Sequence, residues 1–437
     1  MHPLLRNRTF LRLLAGRLVT NAGDSIYYVA ALWLVHDLGG STVYTGIASF
    51  LVMLPGMFQF LVGPLVDDLR VRTLLVSTQA IQALLVSTIP VADWLGVLSV
   101  EVVLVVIPLA ALVNQVTYPA QSSALPRAVE TEQLSTANSV FNTAHEGVNM
   151  TFNAVGGVLV GLAAVGAVGA LLVDAVTFAV AIVLFAGLSL PDRESHTDAT
   201  DGGTPDDGTA VDGETAPETV RERTRGYVGD FRDGLSYLRG TAFLPIIVPR
   251  ILVSFVAGAM LAILPAYAAL RGGSGLYGVL LSGLAAGAVV GSVLSAKLDG
   301  VPYGYLMIGG TVLTGVAWIG AAVSTWTPAI VACFALAIVY SGGNSVLFDT
   351  LIQTVVPEEM IGRVTSSMTT LEGIATPFGS LVGGAVAAVV GPVAILVALG
   401  VANFLGTAYI LRSGSLRSLP PVADVERGDD RIERVAD

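Results

Sequence analysis

Charge is scarce in this chain: of 437 residues only 13% are charged, about half the share of a soluble domain. A soluble core of this size needs a charged wall, and too few charges are present to build one. Sulfur and imidazole chemistry are also thin. Cys333 is the one cysteine and sits in an apolar run, which excludes an intrachain disulfide. Four histidines (His2, His36, His145, His196) are scattered, with no Cys/His ligand spacing, so no metal site is expected. No nucleophile constellation and no phosphate-cradling glycine loop is found, which argues against an enzyme and against nucleotide-driven chemistry. No cofactor is expected. A cleaved leader is not expected either, because the first apolar stretch carries Arg17, Asn21 and Asp24.

What the chain does have is 54% hydrophobic residues and 49 glycines. Small residues in this number suit close-packed membrane helices. A bilayer-spanning helix needs about twenty mostly apolar residues. Such stretches fall at 13–35, 43–66, 73–92, 97–120, 140–163 and 166–189, and again at 243–268, 275–296, 303–324, 328–349, 366–389 and 391–411. The fold class expected is an all-α membrane protein of twelve transmembrane helices.

The formal charge of −11 is local in origin: ten acids against Arg193 and Arg221 place −8 of it within 192–222. That stretch has almost no bulky apolar residue and reads as a disordered linker. Nucleic acid is excluded as a partner, since no basic face exists to neutralise phosphates. Of the 22 Lys and Arg residues, all but Arg250 and Arg271 lie in one set of alternate connections. Basic residues gather on the cytoplasmic side, which predicts a multi-pass protein of the cell membrane with both termini and the linker inside. Residues 224–240 differ from the linker before them. Tyr227, Val228, Phe231, Leu235 and Leu238 recur at helical spacing among charged residues, as in an amphipathic helix lying in the interface; a plain run-in to the next span is the alternative.

The two halves repeat. His145-Glu146-Gly147 followed by Gly156-Gly157 parallels Leu371-Glu372-Gly373 followed by Gly383-Gly384, at about half the chain length. Two six-helix bundles related by a parallel repeat form one known transporter architecture, with its site between the halves near the midplane. The sequence resembles that family, the major facilitator superfamily, and within it the twelve-span drug/proton antiporters that include macrolide and enterobactin exporters. The resemblance rests on Leu4-Leu5-Arg6-Asn7-Arg8-Thr9-Phe10, Gly23-Asp24, Gly63-Pro64-Leu65-Val66-Asp67, Ala137-Asn138, Asp174-Ala175-Val176-Thr177-Phe178 and Gly362-Arg363-Val364. It covers residues 4–411 apart from the acidic linker. Asp68 stands where the family turn carries a base, and Phe152-Asn153 stands where antiporters often carry Gly-Pro.

Taken together, these readings divide the chain into an N-terminal bundle over 1–190, an acidic linker over 191–223, an interfacial helix over 224–240, a C-terminal bundle over 241–412 and a charged tail over 413–437. The resemblance implies proton-coupled export of an amphipathic small organic compound by alternating access. The alternative is facilitator transport of a lysophospholipid, siderophore or nutrient. The expected partners are that small molecule, protons and the lipid bilayer, with the chain acting as a monomer.

Membrane-embedded ionisable residues are the default candidates for coupling, because burying them is costly. Asp24, Glu146, His145 and Glu372 fill this role, with helix packing or a structural clamp as the competing reading. Gly63, Asp67, Arg70, Arg72 and Arg363 are the expected conformational gate. Asn21, Asn149, Asn153, Asn344 and Arg250 are expected to line a cavity, alongside Gln115 and Tyr118. Arg250 has three uses open to it: snorkelling to the interface, or neutralising Asp349 or Glu372. Asp174 reads as a helix lock rather than as chemistry.

Overall fold

A computed structural model describes residues 3–56, 70–188, 229, 231–237 and 243–425. Twelve long helices run in order: α1 Arg8–Gly39, α2 Thr42–Met53, α3 Val71–Trp94, α4 Val100–Ala128, α5 Leu134–Gly161, α6 Gly166–Ala186, α7 Phe243–Arg271, α8 Gly273–Leu298, α9 Tyr303–Val323, α10 Thr327–Val355, α11 Glu358–Val390 and α12 Pro392–Arg412. Among the described residues nine of these are long and apolar enough to cross a membrane. The other three are α1 and α5, which carry polar residues within their apolar stretches, and α2, which is 12 residues long. Each observed helix matches one expected span. Most run longer than expected at the arginine-rich end, where amphipathic turns extend the helix beyond its apolar part.

Local chemistry sets the helix ends. Asn7 caps α1 by accepting from the Phe10 amide at 3.0 Å. Gly40 closes α1 at φ 62°, a left-handed conformation that glycine adopts without penalty. Gly391 at φ 85° followed by Pro392 separates α11 from α12.

Within the first half α1 packs on α5 and α6, α2 on α4, and α3 on α4 and α6. Each pairing recurs six helices later: α7 on α11 and α12, α8 on α10, and α9 on α10 and α12. The repeat in the sequence is therefore a repeat in packing, and the fold is two pseudo-symmetric six-helix bundles. The bundles meet along α2–α11, α2–α7 and α5–α8. At that seam Thr42 donates to the Gly384 carbonyl at 2.8 Å, Thr45 to Ala262 at 2.7 Å and Ser282 to Met150 at 2.8 Å. Close approach needs glycine: a β-carbon on Gly157 would lie 2.5 Å from the Gly278 Cα.

Three hydrophobic cores define the shape. One joins both halves through Trp33, Val106, Ile263, Tyr267, Tyr277 and Phe334, at the end where α1 stops and α8 starts. At the arginine-rich end the halves have separate cores. Phe10, Leu75, Leu125, Phe141 and Phe185 form the first; Ile246, Tyr303, Phe348, Val355 and Met368 form the second. Among the described residues the halves thus share one core at the arginine-poor end and keep separate cores at the arginine-rich one.

The expected tail from 413 is not all tail. Residues 413–425 fold back under α9, where the Tyr303 amide donates to Pro420 at 3.1 Å and the Ala423 amide to Asp299 at 3.1 Å. Leu416, Leu419, Val422 and Val425 are buried there in the second-half core, so apolar burial rather than charge decides their place. Residues 231–237 are helical, with Gly234 buried and Arg232 and Asp233 exposed. The linker over 192–222 and residues 426–437 lie outside the described residues.

Candidate functional site

The polar candidates divide between the two halves. In the first half Asn21, Asp24 and Ser25 occupy one stretch of α1 at helical spacing, and His145 and Asn149 sit one turn apart on α5. The Asn21 amide nitrogen lies 2.7 Å from His145 Nδ1, and the Asn149 amide nitrogen lies 3.0 Å from His145 Nε2. Ser25 donates to Asn149 Oδ1 at 3.0 Å. A neutral imidazole donates from one nitrogen and accepts at the other, so one of these amides must turn its oxygen to the ring. An imidazolium needs both oxygens and competes with Ser25 for that of Asn149.

Asp24 Oδ2 accepts from Asn114 Nδ2 of α4 at 3.3 Å. Asn114 was not among the residues singled out in the sequence; its one signal is an amide inside a long apolar run, the same signal that picked out Gln115 beside it. Arg17 is buried at 4% exposure with its guanidinium 5.0 Å from the Phe141 ring centre, which places an N-terminal basic residue inside the bundle. Glu146 lies on α5, but its side chain is outside the described residues.

In the second half Arg250 Nε donates to Glu372 Oε1 at 2.8 Å, joining α7 to α11. Its guanidinium also stands 4.4 Å from the Phe348 ring centre. Of the three uses open to Arg250, the geometry takes the pairing with Glu372, with Asp349 in its electrostatic neighbourhood. Tyr303 donates to Asn344 Oδ1 at 2.8 Å and Tyr340 to the same oxygen at 3.3 Å. Two donors on one carbonyl oxygen hold the amide in place. These residues border a cavity of about 210 Å³ inside the second bundle, between α7, α9, α10 and α12. Met260, Met307 and Trp318 line its apolar side; Ser254, Ser341 and Asn403 add polar contacts. Tyr303 and Tyr340 were not read as site residues, because tyrosines in apolar runs carry no distinguishing sequence signal.

The gate candidates separate. Gly63 and Asp67 lie outside the described residues. Arg70 caps the start of α3 without a side-chain cap bond, and both Arg70 and Arg72 are exposed. Arg363 on α11 pairs with Asp233 at 3.4 Å, while Ser367 donates to the Phe231 carbonyl at 3.2 Å. The 231–237 helix is thus docked on the arginine-rich end of α11. Asn153 stands at the α5–α8 seam, its carbonyl beside Gly278.

The family model described as Major Facilitator Superfamily matches residues 13–380. The chain is 27% identical over 442 residues to the protein named multidrug efflux pump Tap of Mycobacterium tuberculosis, covering 97% of each. It is 25% identical to the Mycolicibacterium fortuitum protein of that name, over 90% of this chain and 93% of the relative. Among solved structures, a bacterial homologue of the lysosomal transporter Spinster, inward-facing and unoccupied, superposes with TM-score 0.66 at 15% identity, covering 94% of this chain and 97% of that one. A bacterial homologue of ferroportin in an inward-facing state gives TM-score 0.64 at 15% identity, over 94% and 99%. With its paired bundles, its half-chain repeat and a family match over most of its length, this multi-pass membrane protein belongs to the major facilitator superfamily of transporters.

Proposed function

We propose that the protein exports an amphipathic organic compound across the cell membrane by proton-coupled alternating access. The observation that carries the reading is the division of labour between the halves. The first holds titratable groups on α1 and α5 with an amide donor from α4; the second holds a cavity with a fixed charge pair at its edge. Export is supported by end-to-end similarity to proteins named multidrug efflux pumps. The arginine-rich end is assigned to the cytoplasm by the distribution of basic residues, so the form whose halves share a core at the arginine-poor end is the inward-open one. Substrate enters the cleft from the cytoplasm or the inner leaflet and reaches the second-half cavity. Closing the cleft swaps the seals, and Asp24 takes a proton from the outside before the return.

The test is uptake into everted vesicles, with ethidium among a panel of fluorescent amphipathic compounds, with and without an imposed proton gradient. Uphill accumulation that collapses with the gradient supports the proposal. Accumulation of a lysophospholipid or nutrient in its place, or transport indifferent to the gradient, supports the facilitator alternative.

A further inference from the structure

The transport scheme above leaves one buried acid unused. Asp174 of α6 is 0% exposed. It packs against α1 at Gly23, where a β-carbon would run into Asp174 Oδ1 and Thr177 Oγ1. The missing side chain at Gly23 is what lets this carboxyl reach the α1 backbone directly beside Asp24. Its hydrogen bonding is poor. Thr177 Oγ1 lies 3.2 Å from Asp174 Oδ1, but the same hydroxyl lies closer to the Asp174 backbone carbonyl, at 2.7 Å. Asp174 Oδ2 is buried without a hydrogen-bond partner among the described residues, and so is the Tyr27 hydroxyl one turn along α1 from Gly23. Tyr27 lies within electrostatic reach of both Asp174 and Asp24, and Asp174 within reach of Asp24.

Among the described residues no cation is paired with the carboxyl. Asp24 and Thr177 are the groups that bear on it, and neither is basic. Arg17 of α1 lies two turns before Asp24 and over Phe141. From α3 come the amides Gln79 and Gln82, bonded to each other at 3.3 Å. Among the described side chains of α5, the imidazole of His145 is engaged by Asn21 and Asn149. A carboxylate in this setting is desolvated, under-bonded and next to another acid, whereas a carboxylic acid is neutral and keeps a donor of its own.

We propose that Asp174 is a second proton-carrying carboxyl of the first bundle, coupled to Asp24 across the Gly23 notch so that the pair holds at most one negative charge. When the O–H bond of Asp24 breaks, the proton passes to water in the cleft and the charge stays on Asp24. Asp174 then keeps its proton, because a second charge beside the first is disfavoured. The pair therefore limits proton exchange at this site to one per cycle. Only that last consequence rests on the coupling role given to Asp24; the protonation of Asp174 stands apart from it.

Infrared spectroscopy of the purified protein in lipid nanodiscs, titrated with base and without substrate, reads the pair directly. The expected result is a carboxylic-acid carbonyl band that outlasts that of Asp24, disappears in Asp174→Asn and moves in Thr177→Val. In Asp24→Asn the band should remain but be lost at a different pH. No band removed by Asp174→Asn, or a band whose pH dependence ignores Asp24→Asn, overturns the proposal. If Asp174→Asn does not fold, an unmoved band in Thr177→Val overturns it. Uphill transport surviving in Asp24→Asn while the band behaves as expected removes the coupling role of Asp24 and supports the acid pair.

Discussion

Asp24 and Arg250 are both ionisable groups inside helices, yet their surroundings give them different work. Asp24 has one amide donor, Asn114, and no described cation bonded to it; Arg250 has a carboxylate partner at 2.8 Å and an aromatic face. A group held by a single neutral donor can change charge with its surroundings, while a paired one is fixed. Asp24→Asn keeps shape and removes titration, so it should abolish proton-driven accumulation and leave downhill exchange measurable. Uphill transport with unchanged pH dependence would make Asp24 a packing residue. Removing one member of the Arg250–Glu372 pair strands the other. Arg250→Met or Glu372→Gln should each cost about 1–3 kcal/mol, read as a lower midpoint of thermal unfolding in detergent. The double variant should recover part of that loss. A double-variant loss equal to the sum of the two single losses would mean that the pair contributes nothing beyond its separate contacts.

Helices α5 and α8 touch through glycines, and this contact belongs to one conformation. Gly157 and Gly278 approach so closely that any side chain forces the helices apart at the arginine-poor end. Since the halves share no core at the opposite end among the described residues, Gly157→Leu should shift the population toward the state open at the arginine-poor end. Labelling of single cysteines placed in the parted cleft should fall several-fold, with normal protein levels in the membrane. Unchanged labelling would show that the seam tolerates separation without changing state. Helix α11 has a second attachment of the same kind. Gly234 of the 231–237 helix fits against the Arg363 carbonyl and Ser367, which ties the connection between the halves to one gate candidate.

For the molecule as a whole, topology and the acidic connection give the clearest tests. Reporter fusions at Gly202 and after Arg417 should both read as cytoplasmic, because the basic residues gather at one end. A periplasmic signal at either would overturn the orientation. Deleting 195–220 should leave transport largely intact, since a polar segment poor in apolar residues contributes little packing. Residues 224–240 should be retained, because the helix at 231–237 docks on α11. Loss of transport at normal membrane levels in the deletion would assign the linker a gating or partner-binding role.

Membrane class, helix number and the half-chain repeat were legible in the sequence, because the bilayer imposes a length and an apolarity on every span and these act residue by residue. Asp24, Glu372 and Arg250 were legible for the same reason: a charge inside an apolar run stands out without any knowledge of its neighbours. Their partners were not. Asn114, Tyr303 and Tyr340 are ordinary residues in their own helices and gain meaning from what α4, α9 and α10 are packed against. The choice of Glu372 over Asp349 for Arg250 turned on the relative rotation of α7 and α11. The place of 413–425 turned on a free apolar edge beneath α9. Spacing along one helix is local, and it records which face a residue shares; which other helix meets that face depends on how all twelve pack, and that information is distributed over contacts far apart in the chain.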